Sequence, residues 1–188
     1  MRLFLAIELA PDVRAALAAL PSRVELPGAD VRWSPPENLH CTVLFLGEHD
    51  EVALPGIHEA CAAVASETAP FRIALSGTSV FPKHGPAKTL FVGMGEGASE
   101  WKALVRRAEP WFVPMGVARN GGLVPHVTLG RVRSGGEDPR VRAGWLSFSD
   151  EVFGGQSSEG IALVRSDLDR SGATYHNVGF HPFKGVAG

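Results

Sequence analysis

Two stretches of the chain carry the same pair of reactive side chains. "PPENLHCTVLFLGE" (35–48) sets His40 two residues before Thr42, and "LVPHVTLGRV" (123–132) repeats the pattern with His126 and Thr128 after Pro125. In an extended strand successive side chains alternate faces, so each motif offers one imidazole and one hydroxyl to the same space, on Cα atoms roughly 6.6–7 Å apart. Cys41, Val43 and Phe45, like Val127 and Leu129, then face the opposite side, where an apolar layer fixes the strand. Two imidazoles and two hydroxyls converging on one cleft are the equipment for metal-free displacement at a phosphodiester. A neutral imidazole takes a proton from attacking water and an imidazolium gives one to the leaving oxygen, and a histidine of ordinary pKa, ~6.5, does either near neutrality. The hydroxyls would bind non-bridging phosphoryl oxygens, and Arg131 or Arg133 would add positive charge.

A lone histidine at the start of a strand is ordinarily structural or superficial, and His49, His58, His84, His176 and His181 are read that way. The two HxT strands differ because they recur. They stand 126 − 40 = 86 residues apart, each after a proline-containing turn and each followed within its strand by a Leu-Gly pair.

The elements that must position them follow from periodicity. "RLFLAIE" alternates Leu3, Leu5 and Ile7 against Phe4 and Ala6, as a covered strand does. "PDVRAALAAL" then places Val13, Ala16, Leu17 and Leu20 at helical spacing behind Pro11 and Asp12. After the turn-rich "PSRVELPGAD" come strands at 31–33 and 40–47, separated by a Pro-Pro turn. A helix over 51–67 is expected from Ile57, Ala60, Cys61 and Val64. "FRIALSGTSVF" and "KTLFVGM" read as a strand pair joined by "PKHGPA". A helix through Trp101, Leu104, Val105 and Ala108 is expected to end near Pro110. "HVTLGRV" is a strand, "RSGGEDPR" an exposed loop, and "EGIALVRSDL" and "YHNVGFHPF" are strands. The order repeats, strand and helix leading to each HxT strand, so the chain reads as a duplicated unit of α+β class. No GxGxxG or GxxxxGK[ST] loop follows any strand, so a nucleotide-cofactor fold has no support.

A chain of 188 residues with 45% hydrophobic residues buries a substantial core, and one domain spanning 1–188, built as two lobes, is expected. The net charge of −2 makes the whole molecule no magnet for nucleic acid, but 14 arginines against four lysines leave room for a local basic groove. Two cysteines, Cys41 and Cys61, have no metal-ligand spacing and suggest a reducing, cytoplasmic setting. The apolar "MRLFLAIELA" is broken by Glu8 and lacks a cleavage site, so it reads as a first strand rather than a signal peptide. No later run approaches the ~20 apolar residues of a membrane helix.

"MRLFLAIELAPDVR", "VRWSPPENLHCTVLFLGE" and "PHVTLGRV" together resemble the bacterial RNA 2′,3′-cyclic phosphodiesterases, historically called 2′-5′ RNA ligases, of the 2H phosphoesterase superfamily. The resemblance covers most of the chain in family order. It implies a bilobal α+β fold with pseudo-twofold symmetry, mainly antiparallel sheets and flanking helices around a central cleft. It also implies opening of RNA 2′,3′-cyclic phosphate ends to 2′-phosphomonoesters, with no metal and no cofactor. Carried onto matching positions, His40 would protonate the departing 3′ oxygen, His126 would activate water, and Thr42 and Thr128 would hold phosphoryl oxygens. Arg131 matches the arginine after the second motif. On an ideal strand it would face away from His126, and Gly130 offers a place for a bulge that redirects it. Phe45 poses the same problem of facing and is assigned to the core. Cys41 replaces a residue that is often aliphatic in the family, and the tail "SDLDRSGATYHNVGFHPF" is only loosely similar, so Tyr175 and His176 are not carried over.

The substrate expected is an RNA with a cyclic phosphate end or a small cyclic nucleotide. Alternatives are 2′-5′ ligase or 2′-5′ phosphodiesterase activity on tRNA-like ends, and a non-catalytic binder of phosphate-ended RNA. A zinc hydrolase is disfavoured because His40 and Cys41, being adjacent, point to opposite faces. No membrane association is expected, and a monomer is expected because two lobes already complete one site.

Overall fold

The computed structural model describes residues 1–118, 122–168 and 172–185. Residues 169–171 of the loosely similar tail lie outside that set. In chain order the elements are β1 (Arg2–Glu8), α1 (Pro11–Ala19), β2 (Asp30–Trp33), β3 (His40–Glu48), α2 (Leu54–Ser66), β4 (Phe71–Phe81), β5 (Thr89–Met94), α3 (Ala98–Phe112), β6 (His126–Ser134), α4 (Pro139–Leu146), β7 (Val152–Ser158), β8 (Gly160–Leu168) and β9 (Ala173–Pro182). The strands form a single sheet in the order β7-β4-β5-β6-β3-β1-β8-β9, with β2 added to β6, and every pairing is antiparallel. The mixed α and β class expected from the sequence is the class observed.

The sheet divides at its centre. β3 and β6 meet through one residue pair, Cys41 opposite Val127, whereas β1 pairs with β3 over its whole length and β5 with β6 from Thr89 to Gly93. Each HxT strand therefore belongs to its own half, and the halves touch one residue beyond each histidine.

The helices cover the sheet face that points away from the histidines. α3 lays Trp101, Leu104, Val105, Ala108 and Phe112 into the core and packs on β3, while α2 buries Ile57, Ala60, Cys61 and Val64 against β8, β9 and α3. Leu3, Leu5 and Ile7 of β1 enter this large core, as the alternation predicts. Phe4 and Ala6 form a smaller cluster with Ala162 and Val164 on the histidine face, capped by Tyr175. Both faces of β1 are thus apolar and buried, which is why the strand reads as almost continuously hydrophobic.

Two local expectations are corrected, and one strand carries no signal in the sequence. α3 does not stop at Pro110 but continues to Phe112. The stretch "RSGGEDPR" is not all loop: its end opens α4, with Asp138 as N-cap accepting from the Arg140 N–H and Pro139 in the first turn. That capping signal was available in the sequence. β7 gave no comparable signal, because "VFGGQSS" holds two glycines and no sustained alternation.

Candidate active site

The two HxT motifs are built alike. Each opens a nine-residue strand at its histidine, and in each the imidazole Nδ1 bonds the carbonyl two residues earlier: His40 to Asn38 at 2.7 Å, His126 to Val124 at 2.8 Å. A carbonyl only accepts, so Nδ1 carries the proton in both rings and Nε2 is left to face the cleft. In His40 this nitrogen meets Thr42 Oγ1 at 2.9 Å. Thr128 shares the face of His126 by the same two-residue spacing.

Both strands are bulged at the same place. Thr42 pairs with Ala6 and Leu44 with Leu5, so Val43 is the extra residue; Thr128 pairs with Phe91 and Gly130 with Leu90, so Leu129 is the extra residue. One extra residue shifts the alternation by one and turns the residues that follow it to the other face, in β3 as far as a second shift at Leu46. Arg131 therefore shares the face of His126, near enough for its charge to bear on both His126 and Tyr175. It also reaches the Thr89 hydroxyl at 3.5 Å. Gly130 is not itself the extra residue; a side chain there would meet Trp33 and Val31 of β2 at 2.8 Å, so the glycine admits β2. Arg133 lies 3.9 Å from Asp30 and serves that pair.

The same bulge corrects the assignment of Phe45. Instead of entering the core it is 62% exposed and lies on the His40 face, its ring 6.1 Å from Phe4. It takes the place in the first motif that Arg131 takes in the second, since each stands five residues after its histidine.

Aromatic walls hold both imidazoles. Phe4 stacks on His40 at 4.8 Å, and Tyr175 meets that ring edge-on at 5.3 Å. Around His126 the partners are Phe91 at 5.0 Å and Phe81, edge-on at 5.3 Å. Three of these four cannot be found from the motifs because they come from other strands, Phe81 from β4, Phe91 from β5 and Tyr175 from β9, the last in a tail that resembles the family least. Only Phe4 could have been placed, from its alternation with Leu3 and Leu5.

Burial among these rings pushes His40 below the ordinary histidine value, its bond to the Asn38 carbonyl opposes that, and the charge of His126 lowers it further. His126 is lowered by burial too, raised by the Val124 carbonyl and lowered by Arg131. The two histidines thus lie within electrostatic reach of each other across the seam. Burial raises the Tyr175 phenol, with Arg131 and Arg2 pulling the other way. Cys41 is wholly buried at the seam and its thiol is pushed up to about 12, so it stays protonated and inert. Among the described residues no three His, Cys, Asp or Glu side chains are grouped to hold a metal ion. Of the five residues singled out from the sequence, His40, Thr42, His126, Thr128 and Arg131, all lie on one face of the sheet around the β3–β6 seam.

The family described as LigT like phosphoesterase matches residues 7–91, the span that includes His40 and Thr42. An RNA 2′,3′-cyclic phosphodiesterase of Archaeoglobus fulgidus is 31% identical over 95% of this chain and 98% of its own length. One of Thermus thermophilus is 34% identical over 93% of this chain and 86% of its own. Among solved structures, TT0787 of Thermus thermophilus superimposes with a TM-score of 0.83 at 30% identity, covering 98% of this chain and 99% of that one. The E. coli LigT complexed with 3′-AMP superimposes at 0.77 with 18% identity, covering 97% of each chain, and bears on the fold alone.

Proposed function

The chain belongs to the LigT-like phosphoesterase family, hydrolases of phosphodiester bonds, and we propose that it opens the 2′,3′-cyclic phosphate at the end of an RNA to a 2′-phosphomonoester without a metal ion. The observation that carries this reading is the duplicate histidine geometry: two Nδ1–H groups bound to carbonyls leave two Nε2 atoms facing one cleft across the Cys41–Val127 seam.

In this mechanism His126 takes a proton from water through Nε2 as the water oxygen bonds to phosphorus. The P–O3′ bond breaks, and protonated His40 delivers its Nε2 proton to the departing 3′ oxygen. A free 3′-hydroxyl and a 2′-phosphate result. Thr42 and Thr128 donate to the non-bridging oxygens, and Arg131 neutralises charge that builds there. The direction of the assignment is supported by electrostatics. Arg131 disfavours the protonated form of His126 and so favours it as base. A bound anionic phosphate raises both histidines, and the one farther from Arg131 keeps its proton more readily.

The exposed Phe45 ring and the Tyr175 edge offer surfaces on which the terminal base can stack. Because each half of the sheet contributes one histidine, residues 1–188 are read as a single two-lobed domain acting as a monomer. The free, buried thiols of Cys41 and Cys61 support a cytoplasmic setting. Among the described residues no helix is long and apolar enough to cross a membrane.

The test is hydrolysis of a short RNA ending in a 2′,3′-cyclic phosphate in the presence of EDTA, with 2′- and 3′-phosphate products resolved, for wild type, His40→Ala and His126→Ala. Formation of the 2′-phosphate by wild type alone is expected. Equal turnover by either variant, or loss of activity with the chelator, would overturn the mechanism, and tight binding without turnover would make the protein a binder of phosphate-ended RNA.

A further inference from the structure

A polynucleotide whose 3′ end sits between the two histidines must leave the cleft on one side, and the two sides differ: the His40 side sets Glu8 next to its histidine, with Arg2 at the other end of β1 near enough to act on Tyr175. Beside His40, Glu8 is its partner in the β1–β3 register, and Glu8 and Glu159 line a hollow bounded by Gln156, Ser158 and Phe180. A chain of phosphates passing there would run against two carboxylates.

Beside His126 the situation is reversed. β4 ends at Phe81, whose ring touches His126, and the connection to β5 that follows carries Lys83 and Lys88, two of the four lysines in the chain. Both are exposed, and among the described residues neither takes part in an ion pair. Arg131 stands opposite Thr89, where the connection rejoins the sheet. Glu137 and Asp138 line a hollow with Gly85 and Pro86 of the connection, and Asp138 is held by Arg140 at 2.6 Å.

The connection is also fixed in shape. Arg142 of α4 donates to the carbonyls of Pro82 (3.0 Å), Lys83 (3.1 Å) and Gly85 (2.7 Å). The Ala87 N–H donates to the Gly136 carbonyl at 2.8 Å, the Lys88 N–H to the Phe81 carbonyl at 2.9 Å, and the Lys88 carbonyl accepts from Val132 at 2.9 Å. Cations on a braced loop bind phosphates at less cost in ordering than cations on a loose one.

From this we propose that the 82–88 connection is the track for the RNA body: Lys83 and Lys88 take backbone phosphates of nucleotides that precede the cyclic end, continuing the line of charge that Arg131 begins. The inference rests on the hydrolase reading for its substrate but is tested apart from turnover. Binding of a short single-stranded RNA ending in a 2′-phosphate, and separately of 2′-AMP, is measured over a range of salt for wild type, the Lys83→Ala/Lys88→Ala double variant and the Lys83→Arg/Lys88→Arg double variant. The expected result is that wild type binds the RNA more tightly than 2′-AMP. The alanine variant should lose roughly 0.7 from the log–log salt slope for each phosphate contact removed, about 1.4 in all. The arginine variant should restore it, and the ratio of RNA to 2′-AMP affinity should fall only in the alanine variant. An unchanged slope, an equal loss for both ligands, or no preference of wild type for the RNA would overturn the track. Failure of hydrolysis alone would count against the mechanism and leave these binding outcomes to decide the track.

Discussion

Phe45 and Arg131 are equivalent residues: each stands five positions after its histidine, and each is turned onto the histidine face by a bulge that makes Val43 or Leu129 the extra residue. A twofold frame thus ends in one ring and one cation. The frame duplicates the histidine and the threonine, and the departure from it sets a ring on one side of the seam and a cation on the other. The same is true of Tyr175 against His40 and Phe81 against His126, a pair of edge-on rings of which only one bears a hydroxyl.

His40→Ala and His126→Ala should each lower kcat by about 10²–10⁴, the range for loss of a general acid or base. Steady-state kinetics on a cyclic-ended RNA measure this, and thermal melts of the same variants should show an intact fold. Retained activity in the double variant would end the proposal.

Thr42→Val and Thr128→Val keep shape and remove one donor to a charged phosphoryl oxygen. A hydrogen bond to a charged group contributes about 1.5–3 kcal/mol, so kcat/KM should fall by about 10- to 150-fold, less than the larger histidine effects. A loss as large as that of the histidine variants would give the hydroxyls a role in proton transfer instead.

The pH dependence of kcat/KM should be bell-shaped, rising as His126 becomes neutral and falling as His40 loses its proton. Arg131 lowers His126, so Arg131→Ala should raise that histidine and move the rising limb to higher pH. A limb that stays in place while kcat/KM drops would confine Arg131 to holding phosphate. A profile flat from about pH 5 to 9 would contradict a one-acid, one-base mechanism.

Phe45→Ala should leave the melting temperature nearly unchanged, because the side chain is 62% exposed, and should raise KM for cyclic nucleotides. Stacking of a base on an aromatic ring contributes about 1–3 kcal/mol, which corresponds to an increase of roughly 5- to 150-fold. A stability loss with unchanged KM would return Phe45 to the core role the alternation suggested.

Gly130→Ala tests the bracing of the second motif. A methyl group there would stand 2.8 Å from Trp33 and Val31, so β2 must give way, at a cost of about 1–3 kcal/mol. Chemical denaturation measures it. A neutral result would mean that β2 yields freely and does not fix the position of Arg131.

Local spacing along the chain is enough to find the candidate reactive groups and most of the framework. His40, Thr42, His126 and Thr128 were legible because a period of two places paired side chains on one face whatever the surroundings, and the repeat marked them as a unit. β1, α1, α2 and the HxT strands were legible for the same reason, since local spacing decides which stripe is apolar. Tertiary structure decided what local spacing cannot encode. Strict alternation put Phe45 in the core and Arg131 away from His126, and the extra residues Val43 and Leu129 reversed both, because a bulge is set by the pairing of neighbouring strands. Tyr175 reaches His40 from 135 residues away along the chain, and the connection that carries Lys83 and Lys88 follows Phe81, whose ring touches His126, only because β4, β5 and β6 are neighbours in the sheet. The two histidines and the two threonines are written in two short motifs; which charge and which ring stand beside each of them depends on strand order.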